Sequence, residues 1–187
     1  MSPNDIRKGT VLRYEGGLWV VIDFQRVSPG KGSSFVRTKI KNLSTGKVIE
    51  NNFKSSESVD FEEVQYKKMQ YLFNDGQFFT FMDNQSYEQV ALSSEDIGDG
   101  VQYLKEGMDV TIVMHDSKAL TVDLPKKVQY TVKETEPAVK GDTAAGNVTK
   151  DAVLDNGLKV RVPIFIGEGD EIIINTEDAS YSERVSK

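Results

Sequence analysis

Thr10-Val11-Leu12-Arg13-Tyr14, Glu15-Gly16-Gly17 and Leu18-Trp19-Val20-Val21-Ile22 set two apolar, β-branched runs on either side of a glycine turn. Runs of this length and type predict strands, and the paired glycines suit a tight hairpin. The same grammar continues outward. Phe35-Val36-Arg37-Thr38-Lys39-Ile40-Lys41 alternates, so that Val36, Thr38 and Ile40 share one face while Phe35, Arg37, Lys39 and Lys41 share the other. Leu43-Ser44-Thr45-Gly46 turns the chain into Lys47-Val48-Ile49-Glu50, and strand character fades by Ser55-Ser56. The first third therefore predicts a small, self-contained β-barrel.

The middle of the chain restarts the pattern with Tyr71-Leu72-Phe73, Asn74-Asp75-Gly76 and Phe78-Phe79-Thr80-Phe81-Met82. Asp-Gly between strand-like runs is a strong hairpin signal. Ser93-Ser94-Glu95-Asp96 predicts a helix start, with a short helix ending by Leu104. Val110 to Val113 and Ala119 to Val122 pair across a turn that holds His115. In the last third, strands are expected at Val128–Thr135, Lys159–Val162, Glu171–Ile174 and Tyr181–Val185, with a Gly-, Thr- and Ala-rich loop from Glu136 to about Thr149. Lys105-Glu106-Gly107 before Val110-Thr111-Ile112 echoes Gly167-Glu168-Gly169 before Ile172-Ile173-Ile174. That faint repeat suggests two related five-stranded barrels of OB type. The expected architecture is all-β, three small barrels in series.

In the 187 residues, 23 Lys and Arg face 29 Asp and Glu, a net charge of −6, and there is no Cys. Disulfides, thiolate metal sites and Cys nucleophiles are thereby excluded, and a reducing compartment fits. The start Met1-Ser2-Pro3-Asn4-Asp5 has neither a basic region nor an apolar core of a signal peptide. No apolar run approaches the roughly 18 residues of a membrane span. A soluble, cytoplasmic protein with no membrane partner is the expectation. The charge is unevenly spread. Residues 1–61 carry 10 basic and 6 acidic side chains, residues 62–126 carry 5 and 12, and residues 127–187 carry 8 and 11. Between 26 and 54, Arg26, Lys31, Arg37, Lys39, Lys41, Lys47 and Lys54 face only Glu50. This reads either as a localised polyanion contact or as a solvated strand face guarding a sheet edge.

Enzyme chemistry finds little support. Gly30-Lys31-Gly32-Ser33 lacks the upstream glycine of a P-loop, and Gly98-Asp99-Gly100 and Gly167-Glu168-Gly169 lack the third glycine of a dinucleotide fingerprint. His115, the only histidine, is expected solvated in a turn. No catalytic residue, no metal ligand set and no bound cofactor is expected. The informative oddity is Ser28-Pro29-Gly30-Lys31-Gly32-Ser33-Ser34, between two long strand-like runs. Pro29 stiffens one side, while Gly30 and Gly32 leave Lys31 sterically bare near a hairpin tip. Such a lysine is a compact cation with reach and an accessible target for modification; a plain polar loop tip accounts for the same residues.

The chain resembles the bacterial elongation factor P family of translation factors from end to end. The resemblance rests on Pro29-Gly30-Lys31-Gly32, on Tyr71-Leu72-Phe73-Asn74-Asp75-Gly76, and on Lys140-Gly141-Asp142-Thr143-Ala144. It continues through Lys150, Ala152, Gly157, Val160, Val162-Pro163, Ile166 and Gly169. It implies a KOW/SH3-like barrel over 1–61, an OB domain over 62–126 and a C-terminal OB domain over 127–187, in an L-shaped, tRNA-like whole. It also implies binding to the 70S ribosome between the P and E sites and relief of stalling at consecutive prolines. In that setting Lys31 would reach the CCA end of peptidyl-tRNA. Arg37, Lys39 and Lys41 would meet RNA phosphates, and the Gly141-Asp142-Thr143-Ala144 loop would lie near E-site mRNA. Tyr181 and Arg184 would face the small subunit.

Family members often carry a covalent extension on the tip lysine, which implies a Lys31-modifying enzyme as a further partner. Ser28 stands where some lysine-extended members have a basic residue, so the type of extension stays open, and Lys31 itself argues against the branch that carries a sugar on arginine. A monomer is expected, because a tRNA-sized slot admits one copy. The competing class is a general OB-type single-strand RNA-binding protein, which would need a basic groove with stacked aromatics. The acidic second and third domains count against it.

Overall fold

The computed structural model describes residues 1–137 and 148–185. Three curled, antiparallel, five-stranded sheets follow one another along the chain, with only short helical turns. In the first, β1 (Val11–Tyr14), β2 (Gly17–Val27), β3 (Phe35–Asn42), β4 (Val48–Lys54) and β5 (Phe61–Glu62) lie in the order β4-β3-β2-β1-β5. The β1–β2 turn places Glu15 at φ +47° and Gly16 at φ +75°, the left-handed pair that matches strand twist. Alternation on β3 is as expected: Val36, Thr38 and Ile40 are buried while Arg37 and Lys39 are exposed. Thr38 satisfies its buried hydroxyl by donating to the Asn51 carbonyl at 2.9 Å. The core joins Ile6, Leu12, Trp19, Val21, Val36, Ile40, Phe53 and Val59, and each large apolar side chain so buried contributes about 1.5–3 kcal/mol.

The second sheet comprises β6 (Gln65–Asn74), β7 (Phe78–Met82), β8 (Gln89–Ser93), β9 (Asp109–His115) and β10 (Lys118–Asp123), ordered β10-β9-β6-β7-β8. The third has β11 (Lys127–Thr135), β12 (Thr149–Leu154), β13 (Lys159–Pro163), β14 (Glu171–Asn175) and β15 (Tyr181–Arg184), ordered β13-β12-β11-β14-β15. Numbered from its own first strand, each of these two sheets reads 3-2-1-4-5. The repeat extends to single bonds. Gly107 N–H donates to Tyr71 O and Gly169 N–H to Val132 O, both at 2.8 Å, and the reciprocal bonds run from Tyr71 to Met108 and from Val132 to Asp170, both at 2.9 Å. The glycines share φ values of +82° and +81°. The register of the first strand slips at the same place in each, between Tyr71 and Phe73 and between Val132 and Glu134.

Some elements depart from expectation. The helix at Ser94 is a single turn, α1 (Ser94–Ile97), followed by a 3-10 segment at Gly98–Tyr103. Its start is as predicted: the Ser93 hydroxyl accepts from Asp96 N–H, and the Asp96 carboxylate accepts from Ser93 N–H. Gly98, at φ +68°, then ends it. β12 starts at Thr149 and β8 at Gln89, where polar residues on the outward face mask the alternation. His115 is the last residue of β9, and its side chain is largely covered rather than solvated.

The described chain packs as two compact units, Met1–Asp99 with Glu106–Asp123, and Gly100–Lys105 with Leu124–Lys187. Within the first unit, Leu120 packs against Val11, Val20 and Ile22. A slip in the β9–β10 register between Ala119 and Thr121 produces this contact: a bulged residue breaks the two-residue alternation, so Leu120 and Thr121 are both buried. Gly9 is needed at the same junction. It sits at φ +83°, and a Cβ there would lie 2.7 Å from Val113 Cγ2. In the second unit, Tyr103 joins the core of Tyr130, Val132, Leu154, Val162, Ile172 and Ile174. The Tyr130 hydroxyl donates to Tyr103 O at 2.5 Å, and Lys105 pairs with Asp155 at 2.6 Å. Among the described residues no helix is long and apolar enough to cross a membrane.

Candidate functional site

The 11-residue β2 and the 8-residue β3 pair to their very ends, with Val27 opposite Phe35. The seven residues between them, 28–34, have Lys31 at their centre. The neck of the loop is closed by the Ser28 and Ser34 hydroxyls at 3.2 Å. Residues 28–33 are exposed. Gly32 adopts φ +110°, a conformation costly for any other residue. A Cβ added at Gly30 would meet nothing within 4 Å, and one at Gly32 only Pro29 Cγ at 3.8 Å. Lys31 is thus carried by a rigid double strand and bordered by empty space. Neither an ion pair nor a hydrogen bond ties its side chain among the described residues.

The foot of the hairpin is anchored differently. Arg26 donates to Asn4 O at 3.0 Å and Ile6 O at 3.3 Å, with its guanidinium 5.0 Å from the Phe24 ring centre. This cation, one of the basic set between 26 and 54, is occupied in holding the N-terminal turn to β2.

Three cations were expected to share a face on β3, and the sheet gives them three different settings. Arg37 lies between Gln25 and Asn52, both neutral. Lys39 lies between Asp23 and Glu50, whose charges offset its own. Lys41 is ion-paired with Asp96 of α1, the helical turn that follows β8 of the second sheet. Burial alone would push the Asp96 carboxyl up, but hydrogen bonds from Lys41 and Ser93 and the charge of Lys41 outweigh it and hold the carboxyl below the ordinary carboxylate value. Of the three, Arg37 has neither an acidic cross-strand neighbour nor an ion pair among the described residues. No spacing rule in the sequence links Lys41 to Asp96, 55 residues away.

In the third sheet Tyr181 packs against the core cluster, and burial raises its phenol above the ordinary value. Arg184 reaches outward, its guanidinium 5.6 Å from the ring centre of the exposed Phe165 and 3.8 Å from an Asp170 carboxylate oxygen. Phe165 was not anticipated; an aromatic flanked by Ile164 and Ile166 reads as core, and only the turn after β13 exposes it. Gly141, Asp142, Thr143 and Ala144 lie outside the described residues.

Residues 2–59 match the family described as the elongation factor P (EF-P) KOW-like domain. Residues 64–122 match the elongation factor P (EF-P) OB domain, and residues 128–184 match elongation factor P, C-terminal. Similar solved structures include a eukaryotic translation initiation factor 5A from Methanococcus jannaschii, at 21% identity and TM-score 0.35, covering 67% of this chain and 90% of that one. Another is a translation initiation factor eif-5a family protein from Naegleria fowleri, at 13% identity and TM-score 0.33, covering 66% of this chain and 94% of that one.

Proposed function

Since the chain belongs to the elongation factor P family of translation factors, we propose that it binds the ribosome between the P and E sites and relieves stalling at consecutive prolines. The observation that carries the reading is the bare, untied Lys31 at the centre of a closed hairpin tip. Proline reacts slowly because its ring fixes φ and restricts the preceding residue, which disfavours alignment of the reacting ends. A cation delivered on a stiff arm to the CCA end of peptidyl-tRNA would restore that alignment, and misplacement by an ångström is costly in rate. The ribosome then supplies the chemistry and the factor supplies position. A modifying enzyme would find Lys31 equally open, and a covalent extension there would lengthen the arm.

Of the remaining contacts, charge supports those of Arg37 and Lys39, and family membership alone supports the others. Arg37, with Lys39 behind it, meets tRNA or ribosomal RNA phosphates without reading sequence. Gly141, Asp142, Thr143 and Ala144 approach E-site mRNA, and Tyr181 and Arg184 face the small subunit. The test is reconstituted translation of a triple-proline reporter with protein from its own host. Wild type is expected to relieve the stall and Lys31→Ala to fail. Equal rates with Lys31→Ala and wild type would end the proposal.

A further inference from the structure

The outer face of the second sheet carries two exposed aromatic rings, with one carboxylate in the turn between them and another just beyond the end of β8. Phe73 lies opposite Thr80 on β7, and Phe78, two residues from Thr80, faces the same way. Both rings are exposed, at 47% and 38%. Beside Phe78 on β8 stands Ser93, and beside Thr80 stands Ala91. Phe79, Phe81 and Leu92 fill the opposite, buried face, so the core is complete without the two outer rings. The turn between them is capped by its own side chains. Asn74 Oδ1 accepts Gly76 N–H at 2.7 Å, and Asp75 Oδ1 accepts Gln77 and Phe78 N–H at 2.8 Å each.

Residues 69–104 hold six carboxylates and no Lys, Arg or His. Lys67 engages Asp83 and Glu88, and Lys41 engages Asp96. Asp75, in the turn between the two rings, and Glu95, next to the end of β8, have no ion-pair partner among the described residues. The backbone N–H groups of Phe78 and Gln77 keep the Asp75 carboxyl below its ordinary value, so it is ionised at neutral pH.

We infer that this face, formed by Phe73, Phe78, Asp75 and Glu95, docks a cationic protein segment bearing Lys or Arg. Aromatic faces attract ammonium and guanidinium groups, and adjacent carboxylates add charge complementarity. A nucleic acid would bring phosphates against carboxylates, and a symmetric dimer through this face would set its carboxylates against their own copies. The inference rests on the ribosomal reading above, where such a segment would belong to a ribosomal protein.

The experiment puts the photo-cross-linker p-benzoylphenylalanine at position 78 of the full chain and irradiates it with purified 70S ribosomes. Pelleting of the unmodified chain with the same ribosomes is the control. The expected product survives ribonuclease, is lost to protease, and maps to a Lys- or Arg-rich peptide. The doubly substituted Phe73→Ala, Phe78→Ala chain, checked for an unchanged melting temperature, should pellet with affinity reduced roughly tenfold. A cross-link to RNA, to an acidic or neutral peptide, or to nothing while the unmodified chain pellets overturns the inference alone. Failure of the unmodified chain to pellet overturns the ribosomal reading and this inference with it.

Discussion

Lys41 on β3 and Asp96 on α1 form an ion pair that ties the first sheet to the second. Both side chains are mostly covered, at 15% and 25% exposure. Ser93 also bonds Asp96, its hydroxyl at 2.7 Å and its backbone N–H at 3.0 Å. Removing one partner leaves a half-buried charge without its mate, so Lys41→Ala is expected to cost about 1–3 kcal/mol. Denaturant unfolding of Lys41→Ala, Asp96→Ala and the double variant would measure the coupling. Additive costs would show that the pair contributes nothing.

The same contact sets an acid dependence. A carboxyl held low in the folded state adds stability above its unfolded value, near ~3.9, and loses it as pH falls through the folded value. The stability gap between wild type and Asp96→Asn should therefore be full at pH 7 and shrink below about pH 4. A gap that stays constant from pH 7 to pH 2 would contradict the assignment.

Gly9 faces Val113 at the same junction. Gly9→Ala combines a left-handed φ of +83° with a 2.7 Å approach to Val113 Cγ2, and is expected to destabilise by about 1–3 kcal/mol. Adding Val113→Ala should relieve the steric part but not the backbone strain. Urea midpoints of the two variants would separate these contributions.

Thr121 buries a hydroxyl that has no hydrogen-bond partner among the described residues. An orphaned buried polar group costs about 1–3 kcal/mol, so the isosteric Thr121→Val should raise the melting temperature. A lower melting temperature would mean that the hydroxyl is satisfied in solution.

The β3 cations should separate in ribosome binding. Arg37→Ala should weaken binding more than Lys39→Ala, and should flatten the dependence of log affinity on log salt by about one unit. Lys41→Ala should lower thermal stability while leaving that slope unchanged. Equal salt slopes for Arg37→Ala and Lys39→Ala would remove the distinction drawn from their cross-strand neighbours.

Much of the architecture was legible because its signals are local. Alternation along Phe35–Lys41 and the Glu15-Gly16 turn each specify geometry within a few residues. The repeat around Gly107 and Gly169 was visible because a left-handed position in the chain demands glycine. β12 was missed because Thr149, Lys150 and Asp151 hide its alternation. The placement of His115 was missed because strand ends have no strong residue signature. At the site, the centring of Lys31 could be read from flanking glycines. The exposure of Phe73 and Phe78 could not, since aromatic residues in a strand ordinarily signal core.

By itself the sequence determined an all-β chain of three sheets with a bare lysine at one hairpin tip, because strand period and turn chemistry act between near neighbours. Only the tertiary structure decided which charges are free. Asp96 takes Lys41 from across 55 residues, Asp23 and Glu50 flank Lys39, and Arg37 is left with neither an acidic cross-strand neighbour nor an ion pair among the described residues. It also decided that the register slip between Tyr71 and Phe73 leaves Phe73 and Phe78 together on an outward, carboxylate-bordered face. Strand pairing and bulges set these relationships. They depend on segments meeting in space, which no local pattern encodes.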